Sequence, residues 1–256
     1  MREGLFIIGR GVGQVMFQNN AVSGLLMLVG IACNSWLLAL FALLGNFVGT
    51  LTAFFSGYSK EDIEDGLYGF NGTLVGIAVG IFMETGIASL LLLAAGSVLS
   101  TWIARVFGYQ KLLPGFTAPF ILTVWLLLAL CRWWFPSLLL PSVMSEETTS
   151  DLFQAFSLNI GQVMFQGGTV LSGLFFLAGI LLNSRIQALY TVWGALLPLG
   201  MVWMVGSDYA AFNAGLFGYN AVLCAIALGD RSWAGAAWAT LSVVISVLLR
   251  VWGVSL

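Results

Sequence analysis

A chain of 256 residues that is 60% hydrophobic and only 8% charged carries more apolar surface than a soluble fold of its size can hide. Its formal net charge of −2 offers no electrostatic footprint for nucleic acid. It has no histidine for a proton or ammonia relay, and Cys33, Cys131 and Cys224 lie in apolar runs without pairing or metal spacing.

These properties predict an all-α integral membrane protein, multi-pass, in a cell (inner or plasma) membrane. The amino terminus, "MREGLFIIGRGVGQ", is basic and then apolar, but Arg10 interrupts the core that a cleaved signal would need. Residues 5–18 form a short apolar stretch, about half of the 20 or so residues that a span requires. A full span is expected at 21–44, with 45–57 extending it, followed by an acidic loop at 58–65 (Lys60, Glu61, Asp62, Glu64, Asp65). Further spans are expected at 66–83 and 86–107, and a third at 112–135 opens with "LLPGFTAPF". The polar stretch 136–151 reads as a linker between a first repeat at 1–135 and a second at 152–256. The second half continues as 152–166, 169–183, 187–206, 215–229 and 233–254. Its nine Lys and Arg are spread along the chain, and no orientation is assigned from them.

The division into repeats rests on three matching blocks in one order. "GQVMFQNN" from Gly13 returns as "GQVMFQGG" from Gly161, and "SGLLMLVGIACNSWLLAL" from Ser23 returns as "SGLFFLAGILLNSRIQAL" from Ser172. "GLYGFNGTLVGIAVG" from Gly66 returns as "GLFGYNAVLCAIALG" from Gly215. Asn34 and Asn183 are 149 apart, as are Asn71 and Asn220, while Gly13 and Gly161 are 148 apart. The chain is a duplication. About five spans per half, an odd number, plus half-length pieces, predicts inverted repeats with a solute path at the interface of the halves.

Gln14 and Gln162 occupy equivalent places, where a neutral amide both donates and accepts hydrogen bonds and suits an uncharged polar solute. The competing reading is a glutamine that only bonds neighbouring helices. Phe17 and Phe70 could form a slot for a flat molecule, with Leu74 one turn beyond on the same wall, or they could simply pack, as could Phe165 and Tyr219. In "LPGFTAPF", Pro114 and Pro119 bracket Thr117 and free backbone carbonyls, which survive at membrane depth only where protein or water meets them. A kinked lipid-facing helix is the alternative. No carboxylate or lysine falls mid-span (Glu84 ends one), which argues against a pump, a proton-coupled carrier and a cation channel. No catalytic set, metal box or phosphate loop is present, so neither an enzyme nor a cofactor is expected.

"RGVGQVMFQNNAVSGLL", "GLYGFNGTLVG" and "LLPGFTAPF", with the echoes "IGQVMFQGGTVLSGL" and "GLFGYNAVL", closely resemble the urea transporter family. The resemblance covers essentially the whole chain. It implies passive, channel-like passage of urea through a pore enclosed by two inverted five-helix halves, with three subunits forming a homotrimer in membrane lipid. It implies that Gln14 and Gln162 bind urea amide groups near the two mouths. Phe17 and Phe70, with Leu74 beside them, would form an aromatic selectivity filter, and Phe165 and Tyr219 would be the second-half counterparts. Thr117 would be one of two pore-centre threonines, next to carbonyl ladders on half-helices. The second "P-x-x-T-x-P-F" is expected near about position 263, beyond Leu256. Hence the alternative expectation of a non-conducting truncated paralogue, or of a subunit that assembles with complete copies. A channel for ammonia or water lacks the histidines or Asn-Pro-Ala boxes such a path would need.

Overall fold

The computed structural model describes residues 2–110, 114–141, 149–205 and 208–254. They fold into helices without strands, and four of these helices are long and apolar enough to cross a membrane: Trp36–Phe55, Ile87–Tyr109, Arg185–Met204 and Trp233–Gly253. Five shorter apolar helices accompany them. The chain is a multi-pass, all-α membrane protein. Its exposed surface is rich in Trp, Phe and Leu (Trp233 is 93% exposed), as hydrocarbon and headgroup contact allows. The chain gathers into two compact units, Met1–Leu28 with Ser35–Val143, and Val29–Asn34 with Met144–Leu256.

In the first unit α1 (Arg2–Gln14) ends in a tight turn, where Gln18 N donates to the Gly13 carbonyl at 3.0 Å. The Asn20 carboxamide then accepts from Val22 N and Ser23 N at 2.9 and 3.1 Å and starts α2 (Ala21–Asn34). A break at Ser35, whose hydroxyl accepts from Leu38 N, separates α2 from α3 (Trp36–Phe55). The single span expected at 21–44 is therefore two helices, because a serine cap interrupts a run that hydropathy alone reads as continuous. The acidic loop holds one short helix, α4 (Lys60–Glu64), with Glu61 and Asp62 in its first turn, where the helix dipole favours them.

Helix α5 (Gly69–Phe82) is nearly all buried and, at 14 residues, is too short for the span expected at 66–83. Gly45 of α3 faces Gly72 of α5, and a Cβ on either would strike the other's carbonyl. Small residues set this backbone approach. Then come α6 (Ile87–Gln110) and α7 (Ala118–Trp134). Expected from about residue 112, α7 begins only at Ala118, with Pro119 in its first turn; residues 111–113 lie outside the described set. The proline pair thus starts a helix rather than kinking one, since the first turn has no N–H bond to lose. Of the expected linker, Pro136–Leu138 is a 3-10 turn, and Leu139 bridges to Met83 beyond the end of α5. Residues 142–148 of that linker are outside the described set.

In the second unit α8 (Leu152–Gly161), capped by Asp151, runs into a 3-10 turn (Gln162–Met164), followed by α9 (Val170–Asn183) and α10 (Arg185–Val205). Then come short α11 (Tyr209–Asn213), α12 (Tyr219–Leu228) and α13 (Trp233–Val254). Its core gathers Leu199, Val202, Phe212, Phe217, Val243 and Val247 around Ala155, Ala221 and Ala225. The last turns of α2 belong here: Ser172 Oγ donates to the Gly30 carbonyl at 2.8 Å. Among the described residues, caps and glycine turns leave the apolar runs Ala21–Asn34, Gly69–Phe82, Ala118–Trp134, Val170–Asn183 and Tyr219–Leu228 as the shorter helices beside the four long ones.

Candidate functional site

Each unit builds the same arrangement from its own residues. Gln14, half-buried at the end of α1, donates its Nε2 to the Asp65 carbonyl at 2.9 Å. The next residue, Gly66, has φ +76, and a Cβ there would strike the backbone of Gly11. Only glycine lets the turn lie this close to α1. In the second unit Gln162 donates its Nε2 to the Ala214 carbonyl, also at 2.9 Å, and Gly215 follows with φ +72. Four residues beyond each of these glycines stand Phe70 and Tyr219, both half-buried in the first turns of α5 and α12. An amide has two N–H donors and an acceptor oxygen, so one bond to backbone orients each glutamine and leaves most of its capacity.

Phe17 and Phe165 share a backbone state that non-glycine residues rarely adopt, with φ +60 at both. Two further glutamines hold these turns. Gln18 and Gln166 are fully buried and donate to the Met16 and Met164 carbonyls at 2.6 and 2.5 Å. Gln166 Oε1 also accepts from Asn34 Nδ2 at 2.9 Å. Their signal in the sequence is the sixth letter of each repeated octet.

The Phe17 ring meets Phe116 edge-on, with centroids 5.6 Å apart at 89°. Phe116 lies inside "LPGFTAPF", between Pro114 and Thr117, and has φ +41. Thr117 stands next to it as the N-cap residue of α7, half-buried, and its hydroxyl makes no capping bond. Phe120 N donates to Asn71 Oδ1 at 3.1 Å, which ties the start of α7 to the residue after Phe70. Through these neighbours the first unit brings Gln14, Phe17, Phe70 and Thr117 into one region. Leu74, one turn on, is 1% exposed and belongs to the packed interior.

None of Gln14, Phe17, Phe70, Leu74, Thr117, Gln162, Phe165 and Tyr219 carries a carboxylate, imidazole, thiol or basic group. The nearby Tyr68 phenol is pushed above its ordinary value, chiefly by burial, and so stays neutral. Amides, aromatic rings and a hydroxyl can orient and strip water from a small uncharged solute. They include no activated nucleophile and no general base.

A profile of the family described as "Urea transporter" matches residues 5–252. The chain is 31% identical over 245 residues to urea transporter 1 of Capra hircus, and 31% identical over 237 residues to urea transporter 1 of Rattus norvegicus. Each match covers 86% of this chain and 61% of the relative, so the chain spans about three-fifths of the length of these proteins.

Proposed function

This chain belongs to the urea transporter family, and from that premise we propose that it passes urea across the membrane passively, with each repeat supplying one amide site to the path. One observation carries the proposal. The Gln14–Asp65 and Gln162–Ala214 bonds recur at matching positions, each followed by a positive-φ glycine and a short apolar helix. Urea is flat, uncharged and rich in N–H donors with one carbonyl, which suits amide, carbonyl and aromatic surroundings.

In this reading Gln14 and Gln162 admit the solute, and Phe17, Phe70, Phe165 and Tyr219 select for flatness with Leu74 behind Phe70. Thr117 offers a hydroxyl at the narrowest stretch. The repeats, 1–135 and 152–256 about the linker 136–151, are inverted, and three copies assemble as a homotrimer in lipid. Passage needs no bound cofactor.

The test is urea release from liposomes holding the purified chain. Release should exceed that of empty liposomes and ignore membrane potential and sodium or proton gradients. Strict dependence on either gradient, or release no faster than from empty liposomes, would overturn the proposal. The mass of the detergent-solubilised assembly tests the trimer.

A further inference from the structure

The duplication lets the chain be compared with itself, and at one buried contact the two copies solve the same problem from opposite sides. In the first unit Asn46 of α3, fully buried, donates its Nδ2 to the Ile8 carbonyl at 3.1 Å and to Thr73 Oγ1 at 2.9 Å. Its Oδ1 accepts from Thr50 Oγ1 at 3.3 Å. One side chain therefore binds α1, α3 and α5 together. Glycine faces it on both flanking helices. A Cβ on Gly11 of α1 would sit 2.5 Å from Asn46 Nδ2, and one on Gly69 of α5 would collide with Asn46 Oδ1.

Position 11 corresponds to 159 at the octet's offset of 148, and positions 46 and 69 correspond to 195 and 218 at the later offset of 149. The residues there are Asn159, Ala195 and Gly218. The large amide has moved from the α3-type helix to the α1-type helix, and the small residue has moved the other way. Asn159, 1% exposed, donates its Nδ2 to the Ala195 carbonyl at 2.9 Å. A Cβ on Gly218, the residue before Tyr219, would collide with it. Independent drift would give clashing or empty pairs as readily as this reciprocal exchange of bulk. The contact has instead kept one amide in one gap.

We infer that Asn46 and Asn159 are positioning residues for solute selection, each setting how close the glutamine-bearing helix lies to the helix carrying Phe70 or Tyr219. Neither side chain belongs to the binding set above. Asn46 reaches α1 six residues before Gln14 at Ile8, and lies against Gly69, next to Phe70. A clasp at that spot governs the spacing of amide and ring, and a misplacement of about 1 Å is felt in a site that depends on geometry. This inference rests on the proposed urea path for its selectivity consequence and stands on the packing exchange for its structural one.

The experiment transplants one copy's solution into the other. Asn46→Ala, the double variant Gly11→Asn with Asn46→Ala, and the parent are reconstituted as full chains. Two readouts follow: the thermal midpoint and the ratio of urea to N-methylurea flux. Asn46→Ala should lower the midpoint and shift the flux ratio by about two- to ten-fold, the scale of one or two lost hydrogen bonds. The double variant should recover both. A purely structural role would lower the midpoint and leave the flux ratio of the surviving protein unchanged, which would overturn the positioning assignment. A double variant no better than Asn46→Ala would overturn the clasp itself. If Asn46→Ala does not fold, the double variant decides alone: a folded chain with the parent's flux ratio supports the inference, and any other result overturns it. Parent liposomes without urea release would sink the transport reading and the selectivity role together, while the midpoints would still judge the exchange.

Discussion

Gln14 Nε2 donates to the Asp65 carbonyl at 2.9 Å, joining the last residue of α1 to the residue that caps α4. The bond fixes the amide plane before any solute arrives. Replacing Gln14 by alanine removes the anchor and the remaining donor and acceptor together. Solute affinity should fall by about 0.5–1.5 kcal/mol per hydrogen bond lost. Urea binding as tight as in the parent, measured by competition with a flux inhibitor, would show that Gln14 only packs.

Thr117→Val keeps the side chain's shape and removes the hydroxyl, which caps nothing in α7. Stability should hardly change for that reason. An unmet polar group in an apolar tube costs about 1–3 kcal/mol, so urea flux should fall roughly five-fold to a hundred-fold. Flux within about two-fold of the parent would mean that backbone carbonyls alone carry the solute past this point.

Flux should be flat between about pH 5 and 9, because urea is uncharged and the residues proposed to touch it include no carboxylate, imidazole, thiol or amine. The two shifted groups outside the membrane-spanning helices act beyond that window. Hydrogen bonds from the Ser232 hydroxyl and backbone N–H hold the Asp230 carboxyl below its ordinary value. A depressed folded-state pKa gives stability that is present above the unfolded value and lost as pH falls, so its effect lies below about pH 4. The raised Tyr68 pKa makes the folded state keep its proton longer, so stability declines only as pH rises above about 10. A bell-shaped flux profile centred near neutrality would contradict this account.

The structure sorts charges that looked scattered along the chain. Arg10 donates to the Glu64 carbonyl at 2.9 Å, and Arg105 lies 4.9 Å from the Tyr58 ring centroid and bonds Tyr68. With Lys60 in α4, three cations gather where α5 begins. Arg132 lies in the last turn of α7, whose start is tied to Asn71 in the first turn of α5, and so falls at the far end of this unit. This cluster of Lys and Arg predicts that the loop around α4 faces the cytoplasm. A cysteine placed at Ser59 should be labelled by an impermeant thiol reagent only after cells are opened. Labelling of intact cells would reverse the orientation.

Composition and the repeated blocks were enough to establish a duplicated helical membrane protein, because burial in lipid demands long apolar runs and a copied fold keeps its polar marks in register. They also located the glutamines and the phenylalanines at 17 and 165. Chain breaks were less legible. The run 21–44 is apolar throughout, and only the Ser35 hydroxyl on Leu38 N divides it, a local bond that hydropathy does not register. The second copy, with Asn183 and Ser184 at the same junction, pointed to that boundary.

What the tertiary structure alone decided is which residues meet. Phe116 reaches Phe17 across about a hundred positions, and Asn46 stands in one copy where Ala195 stands in the other. Side-chain partners far apart in sequence are chosen by packing, where a gap must be filled once and from either wall. A pattern read along one strand of sequence shows a changed residue at each wall. Only the folded contact shows that the two changes are one.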